Sequence, residues 1–264
     1  MNPVVRVIIR VLVVIAMPFF LGLTNIGLII SPAYPRMEYA KESFPADNYG
    51  WTQAERLDLA LAAVHYLQRP QPAEEVIFLL EDQVIPGTDE PLYNEREIGH
   101  MVDVKKVTDG IGRVRFVAAA IVLLGLAVLL WNRPTRREGY RAILHGGITT
   151  TAILLALALF ILVAWSVFFT QFHELLFPPG TWTFSYSDSL IRLFPEKFWF
   201  DVGIILSVGT LIEGVIVAGI GYWLLRRDWL QLAKAPEGGA QRAPGGGGKR
   251  QESQKRRKKN RTAN

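Results

Sequence analysis

Two of the four histidines stand where an imidazole could move protons at a membrane surface. His100 lies in an acidic stretch just before an apolar run, in Glu97-Ile98-Gly99-His100-Met101-Val102-Asp103. His173 follows another apolar run, in Phe169-Thr170-Gln171-Phe172-His173-Glu174. Imidazole titrates near neutrality and exchanges protons in either direction, so such a pair suits general acid–base work at a lipid–water boundary. Glu97, His100 and Asp103 are spaced three apart and share one side of a helix. A carboxylate there would orient the ring and favour its charged form. The plainer reading of the triplet is a solvated charged face, and His173 alone could simply bond terminal carbonyls.

The remaining histidines carry less. His65 sits in an amphipathic segment and His145 near the start of an apolar run, and both are expected to serve local structure. Cysteine is absent, which removes thiolate nucleophiles and thiolate metal ligands. Any covalent intermediate would need His, Ser, Thr, Tyr or a carboxylate.

The elements that must position this pair are membrane helices. Half of the 264 residues are hydrophobic, and they cluster. Residues 1–30, 114–131, 143–169 and 201–225 are each long enough to cross hydrocarbon, which takes roughly 20 apolar residues. Lipid admits them only as helices, so the expected fold is an all-α membrane protein with four transmembrane helices. The first run could be a cleaved leader, but it exceeds the usual apolar length of one and is read as a retained anchor. Arg6, Arg10, Arg133, Arg136, Arg137, Arg141, Arg226 and Arg227 flank one side of the spans. Residues 31–112 instead hold 15 acidic against 7 basic residues, a net of −8. The positive-inside rule then places both termini and residues 132–142 in the cytoplasm, with residues 31–113 and 170–200 outside. Residues 226–264 read as a basic, disordered tail, to be explained either by topology or by contact with anionic headgroups or RNA.

The outer stretch 31–113 reads as a small helical domain. Thr52-Gln53-Ala54-Glu55 and Asn94-Glu95-Arg96-Glu97 are capping boxes, in which side chain and backbone satisfy one another's orphan groups. The first helix should end at Pro70 and Pro72, and a second should run over Ala73–Asp82. The third carries His100; Gly110 and Gly112 leave open whether it runs on into the second span. The second outer segment is dense in Phe and Trp, with Pro178-Pro179-Gly180 forcing a turn. Ser187 or Asp188 would cap a short helix through Leu190, Ile191 and Leu193, lying in the interface with its apolar side in lipid. Glu213, midway along the last span, is an intramembrane polar group and a functional candidate.

The chain resembles the lipoprotein intramolecular transacylase (Lit) family of bacterial membrane proteins over about residues 1–228. The resemblance rests on Asn48-Tyr49-Gly50-Trp51 with Glu55-Arg56 and Tyr66-Leu67, on Glu97 through Lys105, on Phe172-His173-Glu174-Leu175-Leu176-Phe177, and on Trp182 through Trp199. It departs from the family at Phe184-Ser185-Tyr186-Ser187, where an Asp-Pro pair is usual, and in the tail from Ala235. What the resemblance implies is transfer of an acyl chain from the diacylglyceryl group of a lipoprotein's N-terminal cysteine to that cysteine's α-amino group. His100 and His173 would be catalytic, Glu97, Asp103, Lys105, Glu174 and Asp188 supporting, and Trp182 and Tyr186 would meet the substrate. The expected protein is a monomer in the bacterial plasma membrane, among membrane lipids, acting on a lipid-anchored lipoprotein. No cofactor, metal or nucleic-acid partner is expected. Two other readings compete: a metal-dependent membrane hydrolase, for which HExxH-type spacing is missing, and a non-enzymatic scaffold acting through its basic tail.

Overall fold

The computed structural model describes residues 1–234. Among them ten helices follow one another, and the only extended pairing is an isolated antiparallel bridge between Val84 and Pro91. Four helices are long and apolar enough to cross a membrane: α1 (Pro3–Ile29), α6 (Glu95–Trp131), α7 (Arg133–Val163) and α10 (Glu196–Lys234). Their outward faces carry side chains such as Phe116, Leu124, Leu159 and Ile216, all exposed. An apolar exterior of this extent marks a surface made for lipid.

The bundle closes through small residues. A side chain on Gly147 of α7 would meet the backbone of α10 at Ala218 and Gly214, 2.3 and 2.6 Å from its Cβ. Gly221 abuts Leu144 in the same way, and a Cβ on Gly125 of α6 would come within 2.5 Å of a Val13 methyl of α1. Between membrane helices such close approach supplies the packing energy that water-driven burial cannot. Glu213 faces α1, where Asn25 Nδ2 donates to it at 2.9 Å and to Thr210 Oγ1 at 2.9 Å. The expected intramembrane polar group thus ties two spans together.

The continuity left open at Gly110 and Gly112 is decided by the fold, and several other boundaries differ from expectation. α6 runs unbroken through both glycines, so His100 and the second span share one rod. Its apolar spanning section starts after Arg113, and the turns bearing His100 precede it. Residues 132–142 are not a loop: Asn132 alone separates α6 from α7. Pro134 in the first turn pre-sets the helical φ where a missing N–H costs nothing. At that end Glu138 accepts from Arg10 and Arg141, each at 2.7 Å. The third span stops at Val163 rather than residue 169. Ala164 leaves helical geometry at φ −138°, ψ 48°, and a separate helix α8 (Trp165–Leu176) begins, its Trp165 Nε1 donating to Glu196 Oε1 at 2.6 Å. Finally, Ala73–Asp82 divides at Ile77 into α4 (Ala73–Val76) and α5 (Phe78–Glu81). The tail expected to be disordered from residue 226 is corrected at its start, because α10 continues through Lys234; its residues from Ala235 lie outside those described.

At the opposite end from Asn132, α2 (Ala33–Tyr39), α3 (Gln53–Gln68), α4, α5 and the start of α6 enclose a core of Tyr39, Trp51, Tyr66, Leu80 and Met101. Both capping boxes form, at Thr52/Glu55 and Asn94/Glu97. A short helix α9 (Ser189–Leu193) belongs to that core: Leu190 and Leu193 are buried. The expectation that its apolar side rests in lipid is therefore corrected. Burial against Tyr39, Phe44 and Trp51 was not visible from a five-residue stretch alone.

Candidate functional site

His100 reaches its place because the Asn94/Glu97 box starts α6 one turn earlier, and His173 because the break at Ala164 re-aims α8. Their ring centroids are 6.4 Å apart and the planes lie within 22° of parallel. Aromatic rings enclose the pair. Phe177 and Phe184 stand 4.8 and 5.3 Å from His100, while Phe169 and Trp182 stand 4.1 and 4.9 Å from His173. His100 is 9% exposed.

No carboxylate steadies either ring. Glu97 turns away from His100: Oε2 accepts from Asn94 N at 2.9 Å and Oε1 from Leu190 N at 2.7 Å. It joins the start of α6 to α9, and although burial raises its proton affinity, each oxygen already faces an N–H. The expected orientation of His100 by Glu97 is corrected by that contact across 93 residues of chain. With no counter-ion, burial pushes His100 down to about 4, and the facing His173 adds to this. Burial also lowers His173, against the Phe169 carbonyl, which favours its charged form. Both shifts favour the neutral ring.

Their hydrogens can be assigned from partners. His173 Nδ1 lies 2.7 Å from the Phe169 carbonyl oxygen, which only accepts, so Nδ1 carries the hydrogen and Nε2 the free lone pair. His100 Nδ1 is sealed without a partner. A buried lone pair costs less than a buried unpaired N–H, so its hydrogen sits on Nε2. One ring thus offers an acceptor and the other a donor. Trp182 Nε1, a donor only, is likewise buried without a partner.

The other expected site residues divide. Asp188 accepts from Ser185 N at 2.8 Å and from Arg96 at 2.9 Å, and the Arg96 guanidinium lies 5.4 Å from the centre of the Phe184 ring. It therefore fixes the segment that covers His100. Lys105 is fully buried and bonds Asp109 at 2.7 and 2.9 Å, a turn beyond the pair. Asp103 is half-buried on α6 with no bond to His100, and Glu174 meets only Gln171 at 3.3 Å. Tyr186 is 82% exposed, outside the aromatic enclosure. His65 and His145 are exposed. Glu213 bonds within the bundle, as above. Among the described residues no group of three His, Asp or Glu side chains could hold a metal ion, so the hydrolase reading lacks its ligand set.

Two arginines, Arg56 and Arg192, do work that sequence reasoning missed. Arg56, 2% exposed, donates to the carbonyls of Pro45 and Arg192. Arg192 pairs with Asp47 at 2.9 Å and lies 3.2 Å over the Trp51 ring. Asp47 in turn takes the N–H groups of Tyr49 and Trp51, folding the Asn48–Trp51 turn around Gly50 at φ 103°. That turn is the socket for α9. A lone basic residue within an acidic, aromatic stretch was the available signal.

A sequence model of the lipoprotein intramolecular transacylase (Lit) family matches residues 11–199. An uncharacterised protein of Aquifex aeolicus is 28% identical over 217 residues, covering 82% of this chain and 94% of that one. The in meso structure of the transacylase Lit from Bacillus cereus matches with a TM-score of 0.61 at 18% identity, over 87% of this chain and 100% of that one. A form of it with one histidine replaced by arginine gives 0.54 over 86% and 95%. At such identity the likeness establishes a shared fold.

Proposed function

Because this chain belongs to the lipoprotein intramolecular transacylase family, and is an integral membrane acyltransferase, we propose that His173 and His100 carry out its acyl transfer. The substrate is a lipoprotein whose N-terminal cysteine bears a diacylglyceryl group, and the product is the N-acylated lyso form. The observation that carries the reading is the pair of imidazoles 6.4 Å apart inside an aromatic enclosure. General acid–base catalysis needs a hydrogen-bond contact of roughly 3 Å, and both rings border the same enclosure.

In this mechanism the neutral α-amine attacks the ester carbonyl carbon, forming the C–N bond. His173 Nε2 takes the proton released from nitrogen and hands it to the glyceryl oxygen as the C–O bond breaks. The proton count closes on one imidazole. His100 Nε2–H and the unpartnered Trp182 Nε1–H donate to the oxyanion, where a preorganised donor is worth about 2.7–4 kcal/mol. The apolar rings exclude water, which would otherwise hydrolyse the ester.

The placement that suits this chemistry has the paired rings outside the plasma membrane and both termini in the cytoplasm. Arg6, Arg10, Arg133, Arg136, Arg137 and Arg141 at the opposite end support it. The protein then works as a monomer among membrane lipids. The test is mass spectrometry of lipoprotein N-termini in cells expressing the chain. His100→Ala and His173→Ala should each lower lyso-lipoprotein formation at least 100-fold at equal membrane levels, the scale of general acid–base catalysis, about 10²–10⁴. Full activity in either variant would discard the mechanism.

A further inference from the structure

Beside the aromatic enclosure runs a second cavity that acyl transfer itself does not require. It is a groove of about 460 Å³, largely open to solvent, lined by Ile85, Pro91, Tyr93, Glu95, Ser187 and Arg192. We propose that it seats the polypeptide that follows the modified cysteine, as an extended segment; this rests on the acyl-transfer reading and names where that substrate's peptide binds.

The position argues for it. Asn94 also lines the groove and lies six residues before His100 on α6, about 9 Å at 1.5 Å per residue. An extended chain covers that distance in about three residues at roughly 3.3 Å each. The wall between the two cavities is continuous: Phe184 meets His100 edge-to-face, Arg96 covers Phe184, and Arg96 pairs with Asp188, which lines the groove. A cysteine held between the imidazoles has its acyl chains toward lipid and its carbonyl side toward this wall. The polypeptide must leave there for water.

The lining fits a peptide better than a small ligand. Small-molecule sites bury most of their ligand, whereas an open groove leaves one side of a chain solvated. Ile85 and Pro91 offer apolar contact, and Glu95 is exposed at the first turn of α6. Tyr93, 6% exposed, contributes a packed aromatic side chain to the wall. Binding energy from this remote segment would hold the amine against the ester, the orientation on which intramolecular transfer depends.

The test uses the full chain in detergent with two synthetic substrates. One is a diacylglyceryl-cysteinyl pentapeptide amide and the other diacylglyceryl-cysteine N-methylamide, which lacks the peptide. The pentapeptide should show a KM at least tenfold lower. Ser187→Trp, at an exposed position, should fill the groove and collapse that ratio toward one, and Glu95→Arg should reduce it. Equal KM values for the two substrates, or an unchanged ratio in Ser187→Trp, would overturn the groove while leaving acyl transfer standing. Transfer to neither substrate would remove both readings. Independently of turnover, a pentapeptide with a photoreactive benzophenone side chain at its third residue should crosslink within residues 85–95 or 187–192. Crosslinks confined elsewhere would count against the groove.

Discussion

Replacing Glu97 with Gln separates two roles for the carboxylate before His100. Spacing alone makes Glu97 the group that orients and charges the imidazole; the structure makes it a buried double acceptor for Asn94 N and Leu190 N. Glutamine has the same shape but one oxygen and one NH2. One of the two backbone N–H groups would then face a donor from a side chain that is itself 1% exposed. An unsatisfied buried donor, with loss of a charge-assisted bond, costs about 2–3 kcal/mol. For a chain of this size that corresponds to a fall of about 4–12 °C in apparent Tm. Melting followed by tryptophan fluorescence in detergent, with an NMR titration of the His100 ring, reads both roles. We expect the lower Tm and a His100 titration that does not move. An unchanged Tm with the His100 titration shifted downward would refute the reasoning, because it would mean that the carboxylate had been raising the imidazole's pKa.

Three further outcomes follow from the same geometry. Burial lowers both imidazoles, His100 to about 4, so an NMR titration of the two rings in detergent should place both below the ordinary histidine value of about 6.5; a ring titrating at or above it would contradict the dry, unpaired environment. Burial opposes charge on Asp47, but Arg192 and the Trp51 N–H prevail and hold its carboxyl below the usual range, so its stabilisation is present above about pH 3.9 and lost as pH falls through the folded value. Asp47→Asn should therefore lower Tm at neutral pH, with about 3–5 kcal/mol lost from a buried pair, and flatten the Tm decline below about pH 3.9. Gly147→Ala should push α7 from α10 because its Cβ meets backbone rather than a yielding side chain, costing about 1–3 kcal/mol; a thermal melt within 1 °C of wild type, roughly the resolution of such a scan, would show that the helices separate freely.

What the amino-acid order determined was everything that acts over a few residues. Long apolar runs can only be helices in lipid, and the four spans follow. A side chain three residues from an N-terminus bonds its own backbone, so both capping boxes were legible at Thr52/Glu55 and Asn94/Glu97. The two chemically suitable histidines could be named for the same reason: residue type and a neighbouring apolar run are local facts. Other features depend on partners far along the chain. Only the fold brings Glu97 to Leu190 and Asp47 to Arg192, which turns one expected catalytic helper into a structural tie and a surface motif into a socket. Only the fold ends α7 at Ala164, where no proline or glycine marks the break. It likewise carries Trp182 to His173 while leaving Tyr186 outside, although four residues separate them in one loop. Periodicity and caps report energies of a helical turn; the spacing and protonation of two rings depend on desolvation by side chains from separate helices. That is a property of the packed interior alone.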